Sequence, residues 1–148
     1  MKTTLSMISL GLALSACGGK GGSTATTTPT GGGDADPLAA QVERGKTLYT
    51  DRCAGCHGAG GEGTDKGPPV VGPQAFPLDP RAGSERSVQF KTAADVFAWT
   101  TEHMPANDPG SLSQDEYLAI FAFDLTANGV KLEQPLDGAA AAAIVLHP

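Results

Sequence analysis

The sequence predicts an all-α domain over residues 37–134, and three observations indicate it. Three segments carry apolar residues at helical spacing behind capping signals. A Cys-x-x-Cys-His motif directly follows the first of these segments, and a long loop rich in glycine and proline separates it from the second. A strand over residues 118–123 is the alternative, but no flanking segment is predicted to pair with it.

The first predicted helix begins with Asp36 as its N-cap and Pro37 at its first position, where the missing N–H has no helical partner to lose. One face of this helix carries Leu38, Val42, Gly45, Leu48 and Tyr49. Because glycine lowers the stability of a helix interior, Gly45 indicates the close approach of another helix.

The second predicted helix begins at Thr92, with Asp95 three residues later as a partial capping box. It ends at Met104-Pro105, because the residue before a proline is biased away from the helical conformation. Its apolar positions are Val96, Phe97 and Trp99.

The third predicted helix has the clearest start signal, a capping box formed by Ser113 and Glu116. Leu112 and Tyr117 are spaced as a hydrophobic staple across this start. The helix ends near Asn128, where a glycine follows as a C-cap signal. Its middle is apolar nearly all round, so we expect it to be buried.

The loop between His57 and Lys91 is longer than a compact domain normally allows, unless a bound group gives it a surface to pack on. The sequence also allows a short helical turn near residues 79–85. The tail, residues 135–148, contains an alanine run and either packs on the domain or frays.

Cys53-Ala54-Gly55-Cys56-His57 is the most specific motif in the chain. Two thiols at this spacing can add to the two vinyl groups of one haem, and the adjacent histidine can then bind its iron. The alternatives are a chance match, a reactive dithiol or a zinc site. No βαβ pattern surrounds the cysteines and no fourth zinc ligand is evident. The motif favours one haem c, held covalently by Cys53 and Cys56 and ligated by His57.

Met104 is the predicted second axial ligand, because the other two methionines, Met1 and Met7, fall in a predicted leader. A thioether ligand raises the reduction potential of a haem, as in cytochromes with a Met/His pair. The alternatives are that Met104 packs in the core, that His103 binds the iron instead, or that the sixth position is vacant for gas or peroxide chemistry. His147 lies at the periphery of the sequence.

Residues 1–16 are predicted to be a lipoprotein signal peptide. Lys2 precedes an apolar run too short to span a bilayer, and residues 14–17, Leu-Ser-Ala-Cys, resemble the lipobox of bacterial lipoproteins. The resemblance implies cleavage before Cys17 and lipid on that residue; an ordinary signal peptide is the alternative. Residues 17–36 then comprise the lipidated cysteine and a flexible linker rich in glycine and threonine. All three cysteines are thereby assigned, with no pair left for a disulfide.

The mature chain is acidic, since removal of the leader leaves nine basic and sixteen acidic residues and a net charge of −7. An acidic surface argues against binding of nucleic acid and against docking to anionic lipid by charge. Four basic residues form either a small docking rim or scattered solubilising charge: Lys66, Arg81, Arg86 and Lys91.

Together these residues resemble a class I cytochrome c, a mono-haem electron carrier. The matching parts, which span most of the mature chain, are Gly45-x-x-x-Tyr49, the haem motif with Gly58 after it, Gly67-Pro68, Met104-Pro105 and the aromatic last helix. The resemblance implies a cytochrome c fold, three main helices around one covalent haem, in which Gly45 lets Ile120 or Phe123 approach. It also implies that the Pro68 carbonyl accepts a hydrogen bond from His57 Nδ1; a plain turn proline is the alternative.

The sequence thus predicts an electron-transfer protein rather than an enzyme. No nucleophile elbow, phosphate loop or metalloprotease motif is found, and a single haem motif does not make a di-haem peroxidase. The resemblances imply a cytochrome anchored by lipid on Cys17, passing single electrons between redox proteins on the outer, periplasmic side of the cytoplasmic membrane. The alternative is a haem-bearing electron-entry subunit of a larger dehydrogenase or oxidase complex, which would use the same ligands.

Overall fold

Helices account for the regular secondary structure of residues 36–148, the part of the chain that the computed structural model describes. They are α1 (Pro37–Arg52), α2 (Ala54–His57), α3 (Ala93–His103), α4 (Gln114–Ala127) and α5 (Gly138–Ala143). Within these residues no strand forms, and one isolated antiparallel bridge pairs Thr92 with Val145. The all-α class is confirmed. The predicted leader, and the linker up to residue 35, lie outside the described residues.

The first and last large helices, α1 and α4, cross at Gly45. An ideal Cβ on Gly45 would lie 1.8 Å from the carbonyl oxygen of Ala119 and 3.1 Å from the amide nitrogen of Ile120. The helices therefore meet backbone to backbone, and Ala119 makes the closest approach. One turn further along each helix, the rings of Tyr49 and Phe123 pack with their centroids 5.3 Å apart.

The helix starts follow the predicted capping signals. The Asp36 side chain accepts a hydrogen bond from the Leu38 amide at the start of α1. Complete capping boxes begin both α3 and α4, formed by Thr92 with Asp95 and by Ser113 with Glu116. Helix α4 is buried along most of its length, and Leu112 and Tyr117, the predicted staple, lie in one buried cluster.

The segment between α2 and α3 has no helix, so the short helical turn that the sequence allows near residues 79–85 is replaced by a tight turn. This turn is closed by a hydrogen bond from the Ser84 amide to the Arg81 carbonyl at 3.0 Å. The segment winds instead around the buried side chain of Arg86, which is 7% exposed. Its guanidinium donates to the carbonyl oxygens of Pro77, Leu78, Asp79 and Val88 and lies 3.8 Å from the centre of the Phe90 ring.

Arg86 therefore does not belong to a basic docking rim. Among the other three basic residues considered for such a rim, Lys66 and Lys91 are exposed, and Arg81 donates to the carbonyl of Gln74 in its own loop. The structure removes Arg86 from the candidate rim, because a guanidinium surrounded by carbonyl groups is a structural element of the loop; a docking role for the exposed Lys66 and Lys91 stays a prediction.

The tail packs on the domain and does not fray. Leu136 and Ala141 are buried in the main core, with Leu136 2% exposed. Gln41 of α1 pairs with the Leu136 backbone through two hydrogen bonds, of 2.9 and 2.7 Å. Further on, the Leu146 amide donates to the Lys91 carbonyl at the start of α3. None of the helices described is long and apolar enough to cross a membrane.

Candidate functional site

The Cys-x-x-Cys-His motif occupies the junction between α1 and α2. Cys53 is at once the C-cap of α1 and the N-cap of α2, and its carbonyl accepts hydrogen bonds from the amides of Cys56 at 3.1 Å and His57 at 2.9 Å. This single turn holds both thiols, which are free, on one stretch of backbone. Cys53 is half-buried and Cys56 is exposed, so one thiol faces the interior and the other lies at the surface.

His57 is held by the loop that follows it. Its Nδ1 lies 2.7 Å from the carbonyl oxygen of Pro68, the partner that the resemblance implies. A carbonyl oxygen only accepts, so Nδ1 carries the proton and donates, which leaves the lone pair of Nε2 available to a metal. An outer hydrogen bond of this kind fixes the orientation of a metal-binding histidine and raises its basicity.

The loop that carries Pro68 is held against the haem motif by contacts that the sequence does not predict. Thr64 donates its hydroxyl to the Cys56 carbonyl at 2.5 Å, and the Gly63 amide donates to the His57 carbonyl at 2.7 Å. Gly67 passes so close that an ideal Cβ would lie 3.2 Å from the His57 ring. The threonine carries no recognisable sequence signal, because its partner is a backbone atom eight residues away.

On the inner side of Cys53 lies a cleft with mainly apolar walls. Its lining consists of Cys53, Phe97, Thr100, Met104, Pro105, Leu112, Tyr117, Ile120, Phe121 and Asp124. The cleft brings together Cys53 and Met104, two of the residues that the sequence singles out. Two free thiols lie beside this mainly apolar cleft, and on the same turn the His57 imidazole carries its proton on Nδ1 and leaves Nε2 available to a metal. These features fit a covalently bound haem.

Met104 reaches this cleft directly after α3 ends. Its carbonyl oxygen accepts a hydrogen bond from the Tyr117 hydroxyl at 2.5 Å, and that hydroxyl accepts one from the Gly110 amide at 3.2 Å. Tyr117 of α4 therefore ties down the loop that carries Met104. The sequence marks Tyr117 only as an apolar staple, so this polar role was missed.

The two other histidines are engaged away from the cleft. The ring of His103 stacks on Trp99 with a centroid distance of 4.5 Å, and its Nδ1 lies 2.8 Å from the Trp99 carbonyl. His147 places Nε2 2.8 Å from the carbonyl of Phe76. These contacts favour Met104 over His103 as the side chain that faces the cleft.

Asp124 is an unexpected polar residue in the cleft wall. It is 7% exposed, and burial raises the pKa of its carboxyl well above the ordinary value. Burial, with the nearby Asp124 as a second cause, raises the pKa of the Cys53 thiol to about 12. The same two causes raise the pKa of Tyr49, whose hydroxyl donates to the Gly58 carbonyl at 2.8 Å.

Comparison with known proteins points to the same chemistry. A family model described as cytochrome c oxidase, cbb3-type, subunit III matches residues 40–123. A chain in the crystal structure of the sulfane dehydrogenase SoxCD from Paracoccus pantotrophus is 31% identical, with a TM-score of 0.55. The match covers 71% of the present chain and 52% of that one, so the present chain spans about half its length. No curated protein matches significantly.

Proposed function

This chain belongs to the cytochrome c family of the cbb3-type oxidase subunit III, and we propose that it is a tethered carrier that passes single electrons between redox proteins. Family membership supports one covalently bound haem c and a role in electron transfer. The alternative assignments of the motif, a zinc module or a thiol–disulfide oxidoreductase, have no support from the family or from the all-α fold.

The observation that carries the proposal is the hydrogen bond from His57 Nδ1 to the Pro68 carbonyl at 2.7 Å, beside two free thiols on one turn. Cys53 and Cys56 would form the thioether bonds, and His57 would present Nε2 to the iron. The haem would supply reversible one-electron chemistry, while the chain supplies ligands, orientation and mainly apolar surroundings. Apolar walls would disfavour an extra positive charge beside the iron.

Met104 is our proposed second ligand. It lines the same cleft as Cys53, and Tyr117 holds its backbone. A thioether in this position would favour the reduced state and would keep small molecules from binding the iron. This arrangement suits a carrier, because a vacant position would instead admit gas or peroxide.

The Met104→Ala variant tests the carrier proposal. We expect its oxidised form to lose the weak near-red absorption band of sulfur-to-iron ligation, its reduction potential to fall, and its reduced form to bind carbon monoxide, which the wild-type protein should exclude. Absorption spectra and potentiometric titration of the haem-loaded chain measure these effects. A His103→Gln variant is the control and should keep the band. If the band and the potential survive in Met104→Ala, the ligand is another residue.

We further propose that lipid on Cys17 anchors the domain to the periplasmic side of a bacterial membrane. The proposal rests on the sequence around Cys17 and on the linker before α1. Two or more acyl chains on one residue give stable anchoring, whereas a single chain binds only marginally. A free tether would let the haem domain reach partners without a fixed interface.

The Cys17→Ser variant is expected to move the protein from the membrane fraction to the soluble fraction while its haem content stays unchanged. Cell fractionation with haem staining, and the intact mass of the mature chain, provide the measurement. Recovery of the wild-type protein with an unmodified Cys17, or of the variant still in the membrane fraction, would contradict the lipid anchor.

A second candidate function is that of a cytochrome subunit in a larger oxidoreductase. The similarity to a chain of the SoxCD sulfane dehydrogenase and to subunit III of cbb3-type oxidases favours it. Both functions need the same haem site. The native mass of the detergent-solubilised protein separates them, since a carrier migrates alone and a subunit co-migrates with a dehydrogenase or oxidase partner.

A further inference from the structure

Asp124 places a carboxyl group where the cleft otherwise offers mainly apolar surface. It lies on α4, one turn beyond Ile120, and lines the cleft together with Cys53 and Met104. A buried ionised carboxylate is costly unless it is paired or hydrogen-bonded, and carboxyl groups in such places usually become neutral instead. The interior of the cleft therefore contains a group that can bind a proton.

The surroundings of Asp124 provide no compensation for a negative charge. Among residues 36–148, no group forms a hydrogen bond with its Oδ1, and this is the only buried side-chain oxygen or nitrogen in that state there. Burial raises the pKa of the Asp124 carboxyl well above its ordinary value. The carboxyl is thus free to respond to any charge that develops in the cleft.

The other titratable side chains near Asp124 are either used by haem attachment or hydrogen-bonded to backbone groups. Cys53, at the junction of α1 and α2, and Tyr117 on α4 line the cleft with Asp124, and burial, with Asp124 as a second cause, raises the pKa of Tyr49 on α1. His57, Glu62 and His103 lie outside the cleft wall, and each has a hydrogen-bond partner of its own. A thioether bond would remove the thiol of Cys53, and the hydroxyls of Tyr49 and Tyr117 each donate to a backbone carbonyl. The carboxylate of Glu62 accepts a hydrogen bond from the Gly60 amide. Asp124 is left as the unengaged proton acceptor in the cleft wall.

We propose that Asp124 is a proton-binding site coupled to the redox state of the haem, an inference that rests on the proposed carrier function. A bound haem would lose one positive charge on taking up one electron from the donor protein. The Asp124 carboxylate would then take up one proton from the solvent and become a carboxylic acid. On transfer of the electron to the acceptor the acid would release that proton, so charge and atoms balance in both directions.

The sign of the pH dependence follows from this coupling. An oxidised iron would stabilise the carboxylate, so the Asp124 carboxyl would ionise at lower pH in the oxidised than in the reduced protein. Between those two values a rise in pH favours the oxidised form. The equilibrium constant for reduction should fall by up to tenfold per pH unit, or 59 mV for one electron.

The test is a potentiometric titration of the full-length, haem-loaded chain between about pH 5 and 9, the range in which buried carboxyl groups titrate. We expect a pH-dependent potential in the wild-type protein and a flat one in the Asp124→Asn variant over the same window. Asp115→Asn, which removes an exposed carboxylate from the same helix, is the matched control and should retain the wild-type profile. A pH dependence that persists unchanged in Asp124→Asn assigns the proton to another group and overturns the proposal.

A second measurement needs no variant, in case Asp124→Asn fails to fold. Redox-difference infrared spectra of the wild-type protein should show the C=O stretch of a protonated carboxyl in the reduced state, and labelling with carbon-13 aspartate should shift it. Absence of such a band in a protein shown to contain covalent haem rejects the role of Asp124 alone. Absence of covalent haem would instead reject the proposed function.

Discussion

Replacing Gly45 with alanine is expected to lower the free energy of unfolding by about 3 kcal/mol, at the upper end of the cost of overpacking. The added Cβ would lie 1.8 Å from the Ala119 carbonyl oxygen, closer than any two such atoms can come. The obstacle is backbone, so no side-chain rotation relieves it, and α1 and α4 must separate. Elsewhere in a helix the same change stabilises by up to about 1 kcal/mol; here the contact outweighs that gain.

Thermal unfolding of the haem-loaded protein measures this effect, and a loss of that size corresponds to a drop in Tm of roughly 10–20 °C for a domain of this length. Gly138→Ala is the control, since an ideal Cβ at that position on α5 meets no atom within 4 Å. It should leave the Tm unchanged or slightly raised. An equal Tm in Gly45→Ala and wild type would show that the two helices are not packed as closely as described.

Replacing both Cys53 and Cys56 with alanine is expected to abolish covalent haem and, with it, electron transfer. The two thiols are the attachment atoms in the motif, and without them the apolar cleft keeps only the axial ligands to hold a haem. We also expect this variant to have less helix, because the cleft walls lose the surface against which they pack. Acid–acetone extraction followed by a pyridine haemochrome assay measures the covalent haem, and far-ultraviolet circular dichroism measures the helix.

Gly55→Ala is the matched control for the cysteine variant. Gly55 lies between the two cysteines, and a Cβ there would meet no atom within 4 Å. It changes the motif while leaving both thiols and His57 in place, so its haem should resist extraction as in the wild type. Mass spectrometry of the mature wild-type chain gives the opposing outcome: two unmodified sulfurs, in a host able to attach haem, would end the cytochrome interpretation.

The helices could be predicted because their signals are local. Thr92 with Asp95, and Ser113 with Glu116, each satisfy backbone donors three residues away, so the start of a helix is legible in four residues. The close contact at Gly45 could also be predicted, because glycine destabilises a helix interior and its presence there indicates that another backbone comes close. Its partner was harder to identify, because Ala119 participates through a carbonyl that every residue possesses.

The loop between α2 and α3 was not predictable for the converse reason. Its shape depends on Arg86, whose acceptors are backbone carbonyls that converge only once the chain has folded. In the sequence an arginine among polar residues is typical of solvent-exposed charge. The burial of Arg86 and its hydrogen-bond acceptors depend on the tertiary structure, and no periodic pattern in the sequence predicts them.

The site divides in the same way. Cys53, Cys56 and His57 fall within five consecutive residues, so the motif alone predicts their chemistry. Asp124 and Tyr117 lie far from this motif in the sequence and approach the site only in the folded chain. A signal for Asp124 did exist: it is the only charged residue in the apolar segment 117–125. Helical burial of that whole segment would have placed its carboxyl in the interior.

The buried guanidinium of Arg86 constrains how relatives of this protein can vary. Lysine offers three donors on one atom, whereas the planar fork of arginine offers five and can reach carbonyls spread along a bend. A relative that retains the long segment between its second and third helices should retain arginine here, and one that has deleted the segment no longer needs it. Among relatives, the presence of this arginine should therefore correlate with the presence of the long segment between the second and third helices.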